Sequence, residues 1–443
     1  MRIQLSDHFT YRRLIRFTGP SILMMIFTSV YGMVDGFFIS NYVGPTPFAA
    51  VNLIMPFIMI FGAVGMVFGT GGTALVSMLQ GMGQKDKADR TFSFLIYFTI
   101  AVGIISSLIG WITVPAVARA LGAADSMLPY CVHYTRVCMI GNTAFILQNM
   151  FQAFLITAEK PHFGFMVTLA AGAANMILDA LFMGALGYGV RGAAAATVIG
   201  QCIGGLIPLI YFMLPGQNSS LRLVAAGFDA KALVRSCTNG LSEFLSDISM
   251  SVVSMLYNIQ LMKFVGESGV AAYGVIMYAN FIFVGVYFGY TIGAAPVIGY
   301  HYGAGNKQEL HSLLKRSLIL IASFMAVLTA LAEIFAGSLT GIFVGYDADL
   351  HALTASAFRI YSISFIFMGF NIFGSGFFTA LNNGFISALI SFFRTFVFQA
   401  ACVLLLPLIF GMEGIWFSIV AAELTAFVLT VCCLVRNRTK YGY

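Results

Sequence analysis

Apolar runs of about twenty residues or more succeed one another along almost the whole chain, and no other feature constrains the fold as tightly. About twenty apolar residues in a helix cross a bilayer core. Such windows fall at residues 15–38, 47–76, 92–116, 127–156, 162–184, 192–214, 236–262, 270–298, 313–338, 352–380, 384–408 and 414–435. Lipid offers no partner to a backbone N–H or C=O, so each run must satisfy its own groups as a helix. Composition agrees: 59% of the 443 residues are hydrophobic and 9% are charged, where a soluble chain carries about a quarter. The runs predict an all-α polytopic membrane protein of twelve transmembrane helices. Several runs exceed the crossing length, so tilt or kinks are expected.

Twelve spans put both termini on one side. Seventeen Lys and Arg, Arg2 and Lys85 among them, fall on that side, against Arg119, Arg191 and Lys263 on the other. By the positive-inside rule both termini are cytoplasmic, in a plasma (inner) membrane. The same bias accounts for the net charge of +6 without nucleic acid as a partner. "MRIQLSDHFTYRRLIR" is too polar for the apolar core of a cleavable signal. The seven cysteines lack metal-ligand spacing and read as small hydrophobes.

The chain also repeats itself at a spacing of about 222 residues. "VGPTPFAAVNLIM" from Val43 aligns with "VGESGVAAYGVIM" from Val265, and "GMGQK" from Gly81 with "GAGNK" from Gly303. Each half holds six spans, so both halves share one orientation about an axis along the membrane normal. The expected division is an N-terminal lobe over 1–214, a polar cytoplasmic linker over 215–235 and a C-terminal lobe over 236–443. The two Gly-rich segments read as tight turns; they lack the pattern of a phosphate cradle.

Within the first half, polar residues recur four apart on several helices: Tyr31 and Asp35, Gln148 and Gln152, Asn175 and Asp179, Thr197 and Gln201. That spacing puts each pair on one helix face. An ionised carboxylate at mid-bilayer costs roughly 2.5–3.5 kcal/mol on insertion scales, so the simplest arrangement turns all four faces inward to one pocket. Two carboxylates in a low-dielectric pocket require a proton or a cation between them. Oxygen donors suit a hard cation such as sodium. The competing reading pairs Asp35 and Asp179 structurally with Arg136 or another internal polar group. In the second half Tyr257 replaces Asp35, and the acids are Glu243, Asp247, Glu333 and Glu423. Asp247 is the better candidate to face a cavity, and Arg359 and Arg394 are available to neutralise acids. The 43 Phe and 23 Met fit a pocket that repacks around varied apolar ligands, or ordinary lipid-facing packing.

Pro20 followed by Asp35, then "FFISNYVG", "GTGGTALVSMLQGMGQKDKAD" and "NMILDALFM", resembles the multidrug and toxic compound extrusion (MATE) family, in its DinF-like and MepA-like prokaryotic branch. The resemblance spans nearly the whole chain. It implies two lobes around a central cleft and a secondary active exporter of cationic or amphipathic organic compounds, driven by H+ or Na+ and needing no cofactor. It implies a cation site at Asp35, Asn175, Asp179 and Thr197, and ligand contacts at Tyr31, Gln148 and Gln152, to which Gln201 and Asp247 are added from their placement. Pro20 takes the position associated there with bending of the first helix. A helix-7 Glu used by another branch falls near Met250 and does not carry over, and the usual Gly-Leu-Pro reads Gly240-Leu241-Ser242. Small organic molecules and membrane lipid are the expected partners, and the chain is expected to act as a monomer. A lipid-linked oligosaccharide flippase would need a cationic cleft. A major facilitator carrier would need an Arg-rich turn. An intramembrane enzyme would need a nucleophile or metal ligands at depth, and the six histidines lie near span ends.

Overall fold

The computed structural model describes residues 3–345 and 347–443, without the side chains of Ser40 and Pro45; Arg2, counted above, lies outside the described residues. The first half contains α1 (Tyr11–Tyr42), α2 (Pro45–Gly81), α3 (Lys85–Ala120), α4 (Leu128–Thr157), α5 (Pro161–Asp179), continued by a π turn (Ala180–Ala185), and α6 (Gly189–Met213). The second half contains α7 (Ala230–Phe264), α8 (Glu267–Gly303), α9 (Lys307–Val344), α10 (Ala348–Ser362), α11 (Phe365–Ala380), α12 (Gly384–Phe392), a second π turn (Phe393–Phe398) and α13 (Gln399–Tyr441). α10 and α11 form one span bent by 49°. α13 is broken at Gly411, whose φ of 58° no helix holds, so it supplies the end of the eleventh span and the whole of the twelfth. The twelve expected helices are all present. α7 begins at Ala230, earlier than its apolar run, because Asp229 caps it by accepting from the Lys231 and Ala232 amides at 3.0 Å.

The repeat is written into the backbone. Gly44 and Gly266 (φ 100° and 78°), Gly83 and Gly305 (75° and 68°), and Gly189 and Gly411 (56° and 58°) are pairs at one register, each in a conformation that side chains disfavour. Gly83 and Gly305 make the expected tight turns. Gly81 and Gly303 do something else: a Cβ at either would lie 1.9 Å from the Tyr300 oxygen or 2.1 Å from the Met78 oxygen, so these glycines let α2 and α8 touch.

Contacts of this kind join the two lobes on the side that carries the termini. Gly71 and Gly240 bring α2 against α7. Gly289 and Gly293 bring α8 against Ile22 and Thr18 of α1. Asn382, in the turn after α11, donates to the Ala74 oxygen at 2.8 Å. Farther along α1 the Ser29 hydroxyl lies 3.1 Å from the Phe281 oxygen. Of these contacts that of Ser29 lies farthest along α1 from the termini.

The apolar core differs between the halves. The second half has one cluster, which also takes in Leu5, Phe9, Leu14 and Phe17 from the start of the chain. The first half has two, one built around Phe92, Phe154 and Phe212 toward the termini, the other around Ile54, Val114 and Ala193 toward the far side. A polar layer lies between them.

Candidate functional site

That layer is built by small residues on α6. A Cβ at Gly200 would meet the Ala171 oxygen and Asn175 Cβ at 3.0 and 3.2 Å, and one at Gly204 would meet the Gln148 side chain at 2.6 Å. One at Gly205 would meet the Ala144 oxygen at 2.3 Å. Close approach of α4, α5 and α6 therefore sets Gln148, Asn175 and Gln201 side by side. On α5, Gly172 leaves space for the rings of Phe27 and Tyr31 from α1, and the Tyr31 hydroxyl reaches the Gln148 amide.

Asp35 and Asp179 approach one another across this layer. Asp179 is 0% exposed and Asn175 4%. Apart from the approach of the two carboxylates to each other, both Asp179 oxygens, Asp35 Oδ1, both polar atoms of Asn175, Gln148 Oε1 and Gln201 Oε1 have no hydrogen-bond partner among the described residues. Desolvated polar atoms without partners are costly, and here they gather in one place and are mostly oxygens. A proton or a hard cation fits that donor set. Thr197 sits at the edge of the layer, its hydroxyl turned back to the Ala193 oxygen at 3.0 Å. Gln152 is buried one turn from Gln148.

Arg136 does not neutralise the pair. Its guanidinium lies 5.6 Å from the Trp111 ring centroid, and among the described residues neither Asp35 nor Asp179 has a cationic partner. The layer also contains two residues that spacing alone did not single out. Tyr134, fully buried on α4, lies beside Thr197, Asp35 and Asp179, and Cys138, one turn on, faces Asp35. Their spacing of four is a usable signal, and tyrosine counts as polar at Tyr31; Tyr134 is paired only with a cysteine, without the acid or amide that marks the other faces. Pro20 is buried in α1, which runs through it without interruption from Tyr11 to Tyr42.

Asp247 stands apart from this layer. It lines a central cavity of about 400 Å³ between α1, α2 and the second half. The walls carry Met25, Met66, Met250 and Met277 with Tyr257 and Phe281, and the acids Glu243, Asp247 and Glu423. Arg394 faces the same cavity, and its Nε lies 2.9 and 3.0 Å from the two Glu423 oxygens. The cavity's one arginine is thus committed, while Glu243 and Asp247 have no ion-pair partner within 4 Å among the described residues. Glu333, elsewhere, accepts from the Ser362 hydroxyl at 2.6 Å. An acidic cavity walled by thioethers and aromatic rings can take a cation with apolar substituents.

The family model described as MatE matches residues 20–181 and 244–404 of this chain. The "Multidrug export protein MepA" of Staphylococcus haemolyticus is 24% identical over 435 residues, covering 97% of this chain and 94% of that protein. Among solved structures, "Crystal structure of MATE in complex with MaL6" superposes with a TM-score of 0.93 at 20% identity, over 98% of each chain. "Outward-facing conformation of a multidrug resistance MATE family transporter of the MOP superfamily" gives 0.92 at 21% identity, over 98% of this chain and 97% of that one.

Proposed function

The chain belongs to the MatE family, an integral membrane transporter of small molecules and not an enzyme, and on that footing we propose that it exports cationic or amphipathic organic compounds in exchange for H+ or Na+. One observation carries this reading: Asp35 and Asp179 share a buried layer of oxygens and, among the described residues, no basic side chain pairs with either. Such a layer changes charge with occupancy. Asp35, Asn175 and Asp179, with Thr197 at the rim, hold the coupling ion; Tyr31, Gln148, Gln152 and Gln201 connect that site to ligand, and Asp247 offers charge in the cavity. Ion uptake neutralises the carboxylates and changes the packing of α1 on α5, with Pro20 as the point where α1 gives way. The missing amide of a proline leaves a helix locally weak. Coupling then requires only that ion and organic cation favour different conformers.

In this reading the lobes are residues 1–214 and 236–443, joined by a cytoplasmic linker at 215–235, and the monomer works in the plasma (inner) membrane with both termini cytoplasmic. The close glycine contacts between the lobes lie on the terminus side, which supports reading the cleft as open to the outside. No organic cofactor is required. A flippase is disfavoured because the one arginine that lines the cavity among the described residues is tied to Glu423.

The test is transport of ethidium by the purified protein in proteoliposomes, with a pH gradient and a sodium gradient imposed separately. One of the two gradients is expected to drive it, and Asp35→Asn is expected to remove the drive. Transport indifferent to both gradients, or wild-type transport by Asp35→Asn, rejects the reading.

A further inference from the structure

We propose that Arg394 is a built-in cation for the second lobe: its guanidinium occupies Glu423, keeps that carboxylate charged through the cycle, and holds it out of the ion exchange that the first-lobe carboxylates carry out. The inference rests on the ion-coupled reading above.

The repeat shows where to look. At the shared register Asp35 becomes Tyr257, Thr197 becomes Ile419 and Gln201 becomes Glu423, and all three second-half residues line the central cavity. The cavity is the second lobe's counterpart of the polar layer, yet its acid is not bare. Glu423 is 0% exposed and Arg394 11% by side chain. Besides the two bonds from Arg394, Glu423 Oε2 accepts from Asn371 Nδ2 at 2.7 Å, and Asn371 Oδ1 accepts from the Thr430 hydroxyl at 3.0 Å. The first-lobe carboxylates have no such provision. At the register position of Arg394 the first lobe carries Gly172, where even a Cβ would come within 2.5 Å of the Phe27 ring and 2.9 Å of the Tyr31 ring. One lobe has room for a tethered cation and the other does not. Arg394 also sits in the π turn Phe393–Phe398, a local winding that recurs at functional sites.

A guanidinium does not lose its proton in proteins. A carboxylate held by one stays ionised at every stage and takes up neither a proton nor sodium. The groups facing the pair are Glu243 and Tyr257 of α7, Tyr287 of α8, Tyr361 of α10 and Asn371 of α11. Glu243 feels the Arg394 charge without bonding to it, and with Asp247 it remains available to ligand.

The experiment measures binding of tetraphenylphosphonium to the purified full-length protein, against pH at fixed sodium and against sodium at fixed pH. The slope of log Kd counts the ions displaced by the ligand. Arg394→Gln frees Glu423 and is expected to add up to about one to the slope in one of the two series. The pair of changes Arg394→Gln and Glu423→Gln together is expected to restore the wild-type slope. Glu423→Gln alone leaves a bare guanidinium in the cavity. Its affinity for the organic cation is expected to fall by about tenfold or more with no change of slope. A pair that only holds the fold would give Arg394→Gln a wild-type slope; that result, or an added slope that survives in the double variant, overturns the proposal. Should Arg394→Gln not fold, Glu423→Gln decides, because unchanged affinity or an altered slope there overturns it equally. A wild-type slope of zero in both series would count against the ion-coupled reading instead, and the differences among the variants would still decide the role of Arg394.

Discussion

A carboxylate inside a bilayer has to be compensated, and at the residue scale this chain does so in two ways. Glu423 is compensated by partners within the chain itself, an ion pair with Arg394 at 2.9 Å and a hydrogen bond from Asn371 at 2.7 Å. Asp179 is fully buried and, among the described residues, faces only the Asp35 carboxyl and no other hydrogen-bond partner, so its ionised form carries a standing desolvation cost. Asp179→Asn keeps the shape and removes the charge. It is expected to stabilise the detergent-purified protein by about 1–3 kcal/mol, read as a higher thermal midpoint, and to uncouple transport from the imposed gradient. A lower midpoint would mean that the carboxylate has a partner that matters to the fold. Asp35 and Asp179 were legible in the sequence because a charged residue in an apolar run has few uses, and the spacing of four indicated which neighbours share its face. Tyr134 and Cys138 were not, since neither is an acid or an amide and both residue types also occur in ordinary apolar packing. The Arg394–Glu423 pair was legible only as two residue types, because their 29-residue separation says nothing about which helix turns meet.

At the scale of elements, glycine does two jobs that one sequence motif conflates. In "GMGQK" and "GAGNK" the second glycine of each makes the turn, with φ of 75° at Gly83 and 68° at Gly305. The first makes a helix crossing, since a side chain at Gly81 or Gly303 would strike the backbone of the opposite lobe. The sequence supports the turn by the flanking polar residues, but a crossing involves a partner 222 residues away. Gly81→Leu and Gly303→Leu are expected to loosen the seal on the terminus side. Overpacking costs about 1–3 kcal/mol, and each 1.4 kcal/mol is about tenfold in an equilibrium. With the seven native cysteines replaced and Ser246→Cys as a reporter in the cavity, labelling by an impermeant thiol reagent from the terminus side is expected to speed up by about tenfold to a hundredfold. An unchanged rate with intact folding would show that these glycines do not hold the lobes closed. Hydropathy separates α7, at 236–262, and the two spans on either side of Gly411, at 384–408 and 414–435; the helix start at Ala230 and the positive φ of Gly411 are set by a cap and a backbone conformation that an apolar window does not register.

The whole molecule is held closed on the terminus side by a peptide that reads in the sequence as a polar tail. The Leu5 amide donates to Glu159 Oε1 at 3.0 Å, in the turn between α4 and α5. The Phe9 amide donates to Glu309 Oε1 at 2.9 Å, and His8 Nδ1 lies 2.6 Å from Glu309 Oε2. Arg316 of α9 donates to the Phe9 oxygen. One short segment thus grips the first half through Glu159 and the second through α9, and Phe9, 0% exposed, fills the space between. Rocking of two lobes must break such a bridge, so its strength enters the balance between the two faces directly. Truncating a fully buried Phe costs about 3–5 kcal/mol, and here much of that cost falls on the closed state alone. A shift from 1:99 to 99:1 needs about 5.5 kcal/mol, so Phe9→Ala is expected to populate the opposite state visibly. Spin labels at Lys87→Cys and Gln308→Cys, exposed in the first turns of α3 and α9, report the separation of the lobes there. A longer distance is expected to appear beside the original one in Phe9→Ala and to be minor in the parent. A single unchanged distance would mean that the peptide rides on one lobe, and that the glycine contacts of α2 and α8 close the cleft without it.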